Sequence, residues 1–290
     1  MIYNYFGARY YNSDISVWLS VDPMSDEYPS TSPFAYVENN PIMFIDPTGM
    51  FKDWYQNEEG QFLWAKKSED AIDFNGKTYK NLNKGSNELP DDLKSDDGAN
   101  LVVAGQNSDA FSTENDDWQS HADNVAKSGN NGKTNVLALV NNADELIEAF
   151  EHTSSQFGFI ESAFIRSHAF GGTGFNDFGL NLGSTSQDDF GYNSIIKFNS
   201  KLKSGDIVMG EGAHVNFMGC NTFDLSKSFT RTTNIPSIGA TGGTGPYNSM
   251  GMFTTNGNFF ININSLEKGK IYNTIKLKSI KLGSKIKVAN

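Results

Sequence analysis

SAFIRSHAFGG, residues 162–172, and VNFMGCNT, residues 215–222, decide how this chain is read. Each opens as a short apolar run of the kind that fills a buried strand. Each then ends abruptly on a polar residue beside glycine. In the first the run passes through Arg166 and Ser167 into His168, with Gly171 and Gly172 close behind. In the second it passes through Gly219 into Cys220 and Asn221. In an open sheet of parallel strands, chemistry collects at the carboxyl ends, near the place where strand order reverses. Two neighbouring strands of this type would bring one imidazole and one thiol to the same rim.

The surrounding pattern supports such a sheet. Leu101–Ala104 and Val136–Val140 are further buried-type strands. Asn142-Ala143-Asp144-Glu145 opens a helix that runs to about Gln156, with acid at its start and Gly158 past its end. Ala143, Leu146, Ile147 and Phe150 give it one apolar face. After a loop-rich stretch, 171–212, come the second decisive strand, a short helix from Ser226, and Ile235–Ala240 as another strand. Pro236 belongs at that strand's start or on an edge. The order is strand, helix, strand, insert, strand, helix, strand, which implies an α/β layer with a mostly parallel sheet flanked by helices. The tail, 271–288, alternates apolar residues with lysine and breaks at Gly283-Ser284, which predicts a hairpin. Its lysines suit solvent-facing edge strands that resist aggregation, with anion binding as the alternative.

The regions before residue 100 read differently. Residues 1–50 hold Pro23, Pro29, Pro33, Pro41 and Pro47, a spacing that forbids a continuous helix. Residues 51–99 read as a small β-rich adaptor. Asn57–Gly60 and Asn75-Gly76 mark its turns, and GSNELPDDLKSDDGA makes a polar, acidic linker. The expected division is therefore 1–50, 51–99 and 100–290.

Composition narrows the function. The 290 residues carry a net charge of −11, which disfavours a nucleic-acid partner, because phosphate contacts need clustered lysine and arginine. No apolar run approaches the ~18–20 residues of a membrane span, and the polar, aromatic start shows no signal peptide. One cysteine rules out an internal disulfide and a multi-cysteine zinc site, and no metal or cofactor is implied. That thiol is either a small buried hydrophobe or a nucleophile.

As a nucleophile Cys220 needs a base, since a thiol at its usual pKa is only a few per cent thiolate near neutrality. His168 can take the proton and return it to a leaving amine. Glycines beside both residues admit a substrate backbone. Backbone N–H groups at the Cys220 turn could hold an oxyanion, and a following helix would favour the thiolate. His214 begins the same strand as Cys220 and would lie about 20 Å off at ~3.3 Å per residue, a structural position. His121 and His152 fall in a loop and a helix, where surface roles are the default. Asp177, Asp188 and Asp189 could orient the imidazole or bind a basic substrate residue, but loop acids are usually solvated. The glycine-rich 239–245 lacks a phosphate loop's lysine.

His168 lies 52 residues before Cys220, and the strand-His and strand-Gly-Cys pair resembles the caspase-like cysteine peptidases. The likeness covers about residues 100–250 and implies that fold, a Cys220–His168 dyad, and a protein or peptide substrate. It also makes Gly171, Gly172, Gly219, Asn221, Thr241 and Gly242 candidates for the oxyanion and substrate cleft. Residues 241–250 would be a cleft wall or a plain loop. Ala169 stands where that family has glycine directly after its histidine, so the oxyanion donor there must come from elsewhere.

Gly7-Ala8-Arg9-Tyr10-Tyr11, Trp18-Leu19-Ser20-Val21-Asp22-Pro23, Asn39-Asn40-Pro41 and Asp46-Pro47-Thr48-Gly49 occur in that order. Together they resemble the closing segment of the core in Rhs/YD-repeat polymorphic toxins. That resemblance implies that Met1 starts inside a longer protein and that residues after 50 are the payload. The payload would be secreted and delivered into a target cell, with an upstream Rhs shell, a secretion apparatus and a cognate immunity protein as partners. It also implies Asp22 and Asp46 as self-cleavage acids, with turn formation as the plainer role. The first element lacks the usual glycine, and a fragment without its shell is not expected to cleave itself. A cysteine peptidase or amidase cleaving proteins or peptides is the leading expectation, and a variation keeps the dyad but takes peptidoglycan or a glutamine side chain as substrate. A metal-dependent nuclease and a non-catalytic binding module on a degenerate peptidase fold are its rivals.

Overall fold

Five parallel strands form the centre of the molecule: β8 (Ala99–Gly105), β9 (Thr134–Val140), β10 (Ile160–Arg166), β13 (Met209–Phe217) and β14 (Ser237–Thr241). The computed structural model describes residues 3–5, 10–12, 15, 17–21, 32, 34, 52–65, 69–74, 76–84, 86–105, 132–171, 178–183, 189–242, 252–253, 258–263, 273–277 and 280–281. The central strands lie in the spatial order β9-β8-β10-β13-β14. Numbered by sequence this is 2-1-3-4-5, one of the doubly wound orders, with its switch between β8 and β10. Most residues of these strands are buried on both faces, apart from the first four of β13.

The main sheet is larger than expected and mixed in direction. Before the parallel core come β4 (Asp53–Gln56), β5 (Phe62–Ala65), β6 (Ala71–Phe74) and β7 (Lys77–Asn81). Beyond it are β16 (Asn258–Ile263) and β17 (Asn273–Leu277). Among the described residues the full order is β17-β16-β14-β13-β10-β8-β9-β5-β4-β7-β6, eleven strands. β5 joins β9 in parallel, whereas the strands outside β5 and β14 are antiparallel. The expected turn at Asn57–Gly60 does separate β4 from β5, and Gly76 lies just before β7, while Asn75 is outside the described residues. The stretch 51–99, read as an adaptor, is nevertheless continuous with the α/β sheet. Trp54, Phe62 and Trp64 enter the same core as Leu101, Val136 and Phe150. Alternation and turn residues identify strands but not the edge they pair with.

Three helices of the described residues pack on one face of this sheet. They are α1 (Ala143–Phe157), α2 (Tyr192–Ser204) and α3 (Phe223–Thr233). Leu146, Ile147, Phe150 and Phe157 of α1, Ile195 and Phe198 of α2, and Leu225 and Phe229 of α3 share one core with Val103, Ile165 and Phe217. Burying side chains of this size is worth roughly 1.5–3 kcal/mol each. The opposite face carries Leu63, Val102, Leu137, Phe164, Met218, Ile238 and Phe259.

α1 starts as the sequence predicts. The Asn142 side chain accepts from Glu145 N–H at 2.8 Å, and Glu145 Oε2 accepts from Asn141 N–H at 2.7 Å. The acidic stretch before β8 is tied to the far end of α1: Ser95 N–H donates to Gln156 O and Gly98 N–H to Phe157 O. α2 overturns the expectation of loop across 171–212. Its first turn has no side-chain cap, and asparagine, serine and lysine interrupt its apolar face, so Ile195 and Phe198 gave too short a pattern. The strand that ends before Cys220 is also longer than VNFM and begins at Met209.

Of the tail only 273–277 and 280–281 are described, and the hairpin expected about Gly283-Ser284 lies outside the described residues. β17 adds to β16, while β18 (Ile280–Lys281) pairs with β15 (Met252–Phe253). A separate small antiparallel sheet, β1 (Tyr3–Tyr5), β2 (Tyr10–Asn12) and β3 (Val17–Trp18), lies within the stretch resembling an Rhs core. No helix of the described residues is long and apolar enough to cross a membrane.

Candidate active site

β10 and β13 run side by side, with Phe164 level with Asn216 and Ile165 level with Phe217. The Met218 N–H continues the ladder by donating to Ile165 O at 2.8 Å. The next residue, Gly219, lies hard against the chain that leaves β10. A Cβ there would meet both Ser167 O and Ala169 Cβ at 2.7 Å, closer than real Cβ atoms approach. Only glycine fits without moving that backbone. The contacts bracket His168, the residue between Ser167 and Ala169, while Cys220 follows Gly219 directly. Register and close packing therefore carry the Cys220 turn to the segment that bears His168. Cys220 is a free thiol and half-buried, whereas His168 is exposed.

His168, expected at the end of the first decisive strand, is followed by more strand and not by loop. It starts a second strand, β11 (His168–Gly171), which folds back antiparallel onto β12 (Phe178–Asn181). His168 is opposite Asn181, and Gly171 is opposite Phe178. The hairpin is held from below. Leu180 and Phe190 exchange two backbone hydrogen bonds of 3.1 and 3.0 Å, and the Ser167 hydroxyl donates to Asn181 O.

The turn after Gly219 is fastened on its other side to β14. Asn221 sits in the left-handed region at φ +56°, and its N–H donates to Gly242 O at 3.0 Å. Gly242 N–H donates back to Asn221 Oδ1 at 2.8 Å. The Thr222 hydroxyl lies 2.8 Å from Phe217 O and 3.2 Å from Gly219 O, and accepts from Ala240 N–H at 3.0 Å. α3 begins immediately afterwards. Its approach to β14 again demands glycine: a Cβ on Gly239 would stand 2.4 Å from both Thr222 O and Ser226 Oγ. The Thr222 side chain makes no cap on the first turn of α3, leaving that positive helix end directed at the turn that carries Cys220.

The other candidates divide clearly. Gly219 shapes the approach to His168. Asn221 and Gly242 form the clasp, which occupies the Asn221 N–H and removes it as an oxyanion donor. Thr241 Oγ1 accepts from Asn258 N–H at 3.1 Å and so belongs to the β14–β16 pairing. Gly172, Asp22, Asp46, His121, Asp177 and Asp188 lie outside the described residues, as does the chain from 243 to 251. Asp189 is half-buried ahead of α2, where its carbonyl is 3.4 Å from Ser194 Oγ.

Two histidines set aside in the sequence are more enclosed than expected. His214 is inside β13, level with Ser162, and not at its start. It is 2% exposed, packs edge-on to Phe164 at 6.4 Å, and neither ring nitrogen has a hydrogen-bond partner. Burial lowers its pKa to about 4; the nearby Gly212 backbone offsets a part of this without reaching hydrogen-bond geometry. His152 leaves the surface role expected of it. Its ring centroid lies 5.4 Å from that of Trp64, and burial, then the Lys52 charge, also lower its pKa to about 4.

Sequence reasoning missed Asn181. Its amide oxygen is buried without a hydrogen-bond partner, directly across the hairpin from His168. An isolated asparagine in a polar, glycine-rich stretch gives no sign of this, because its place depends on a hairpin the sequence does not announce. Among the described residues no group of three or more His, Cys, Asp or Glu side chains could hold a metal ion.

The fold and site define an α/β protein with one cysteine and one histidine on neighbouring parallel-strand ends. No protein-family model, curated protein or solved structure matches the chain.

Proposed function

We propose that this chain is an Rhs-type effector whose α/β portion, residues 100–290, works as a cysteine peptidase or amidase of caspase-like design. The observation carrying the proposal is the packing of Gly219 against Ser167 and Ala169, which brings the Cys220 turn to the His168 segment. The site lies at the carboxyl ends of β10 and β13, beside the β8/β10 switch, where doubly wound sheets bind ligands. The half-buried thiol and exposed imidazole suit an open cleft rather than a core.

In this reading His168 accepts the Cys220 proton as the sulfur attacks a substrate carbonyl carbon. The tetrahedral oxyanion is held by backbone N–H groups of the turn other than that of Asn221. Collapse breaks the C–N bond, His168 gives its proton to the leaving amine, and an acyl thioester remains on Cys220. Water, deprotonated by His168, attacks the thioester carbon. The acid product leaves and the proton returns to sulfur. No cofactor takes part. The substrate is a protein or peptide, and an immunity protein of the producing cell would act by covering this cleft. The β1–β3 segment belongs to the Rhs-like remnant, with delivery by secretion into a target cell.

The test is cleavage of peptide libraries and a target-cell proteome by the purified chain, beside Cys220→Ala and His168→Ala. Loss of at least about a hundredfold in each variant is expected. Full activity or full toxicity without the thiol rejects the mechanism. Metal-dependent degradation of DNA or RNA by the wild-type chain would replace it with the nuclease reading. A Cys220 that resists iodoacetamide in the folded protein would favour a non-catalytic binding module.

A further inference from the structure

We infer that Asn181 is a positioning residue for His168, its amide oxygen accepting the imidazole N–H that points away from Cys220. The inference rests on the peptidase reading and adds to it the group that selects the histidine's working tautomer. It begins from the hairpin. β11 and β12 place His168 and Asn181 as directly opposed residues of an antiparallel pair. Opposed side chains leave the same face, with Cβ atoms roughly 4.5–5.5 Å apart. That separation suits a hydrogen bond between a ring nitrogen and a short amide.

The second observation is the state of the amide. Asn181 Oδ1 is buried and has no hydrogen-bond partner. Buried acceptors in folded proteins are nearly always paired, and an unpaired one needs an explanation. Here the backbone is held by its own bonds. Asn181 O is held by the Ser167 hydroxyl, Leu180 is locked to Phe190 by two hydrogen bonds, and Leu182 is buried beneath. The backbone that carries the acceptor is thus held directly across from His168, and the amide oxygen has no donor in place.

A neutral imidazole has one N–H and one bare nitrogen. For the bare nitrogen to take a proton from sulfur, the N–H must be on the other side, and an acceptor must keep it there. Asn181 Oδ1 is such an acceptor. Rotation of the imidazole about χ2, a broad torsion in histidine, brings the N–H to it. Catalytic hydrogen bonds of this kind often close only when substrate is bound.

The experiment compares wild type, Asn181→Leu, Asn181→Asp and His168→Ala. It reads the rate of Cys220 alkylation by iodoacetamide and the imidazole 15N shifts, tractable because the chain has only four histidines. Expected for Asn181→Leu is a mixed His168 tautomer and an alkylation rate lower by about tenfold or more. Asn181→Asp keeps an acceptor oxygen and is expected to retain a single tautomer and most of the rate. A purely structural asparagine would not separate these two variants by tautomer. If Asn181→Leu unfolds, tautomer and rate in Asn181→Asp still decide the matter, a mixed tautomer counting against the inference. Unchanged tautomer and rate in a folded Asn181→Leu, with His168→Ala still slowing alkylation, overturn the inference and leave the dyad standing. If His168→Ala leaves alkylation unchanged, the dyad itself falls, and Asn181 with it.

Discussion

Replacing Asn221 tests how the Cys220 turn is held. Asn221 and Asn234 are the only non-glycine residues at positive φ among the described residues. Asparagine tolerates the left-handed region because its short side chain can bond locally; alanine there costs roughly 1–2 kcal/mol. Asn221 also accepts the 2.8 Å bond from Gly242 N–H, worth about 1 kcal/mol. Asn221→Ala loses both, for a total of roughly 2–3 kcal/mol. Asn221→Gly loses the side-chain bond but relieves the backbone, for a cost of about 1 kcal/mol or less. At ~2–4 °C per kcal/mol for a large domain, the melting temperature should fall by roughly 4–12 °C with alanine and only a few degrees with glycine. Thermal unfolding followed by circular dichroism measures the difference. Because the clasp joins the turn to the end of β14, iodoacetamide reactivity of Cys220 should change more in the alanine variant as well. Glycine and alanine variants of equal stability would refute the backbone argument. An unaffected alanine variant would refute the clasp altogether.

His214 should make the protein acid-sensitive. Its folded pKa, about 4, lies below the ordinary 6.5, so the unfolded chain binds the extra proton. Its contribution is complete above about pH 6.5 and is lost as pH falls toward 4, to a limit of roughly 3 kcal/mol. His152 shifts in the same direction. Urea unfolding at several pH values should show a shallower acid decline for His214→Leu than for wild type; parallel declines would count against the buried neutral ring. Lys52 supplies a separate test. It is buried over Trp64 at 4.0 Å and paired with Glu148 at 3.1 Å and Glu145 at 3.7 Å. Lys52→Ala removes the cation from Glu148 and leaves Glu145 only its Asn141 bonds, and should cost roughly 3–5 kcal/mol by urea unfolding. Adding Glu148→Gln to it should recover part of that loss, and failure to do so would remove the ion pair as the cause.

The decisive strands were legible because burial on both faces leaves an unmistakable mark: LVVA, VLALV, AFI and VNF are short, apolar and bounded by polar residues. α1 was legible because Asn142, Glu145 and Gly158 punctuate it by ordinary capping chemistry. α2 was hidden because the sheet and the neighbouring helices supply most of its stability. Phe198 packs on Phe150 at 4.9 Å and on Phe229 at 5.2 Å, contacts with residues 48 and 31 positions away in the chain. Pairing partners were hidden for a related reason. Period-2 alternation in 273–277 says that a strand has two faces, and nothing in it says that its neighbour will be β16.

The site divides along the same line. His168 and Cys220 could be brought together on paper because parallel strands of similar length end at the same rim. What the rim does with them depends on close approaches that carry no local signal. Gly219 reads as a cleft candidate, and its packing role emerges only when Ser167 O and Ala169 Cβ are found where its side chain would be. The same holds for the partners that fix the rim. Asn221 answers to Gly242, 21 residues on, and His168 faces Asn181 across a hairpin that Phe190 braces through Leu180. Strand ends therefore specify which chain segments meet, while the orientation of the groups they carry is set by backbone contacts made at long range. The orientation is what separates a reactive thiol from an inert one, so substitutions at Asn221 and Asn181 probe the chemistry more sharply than any at the strands that led to it.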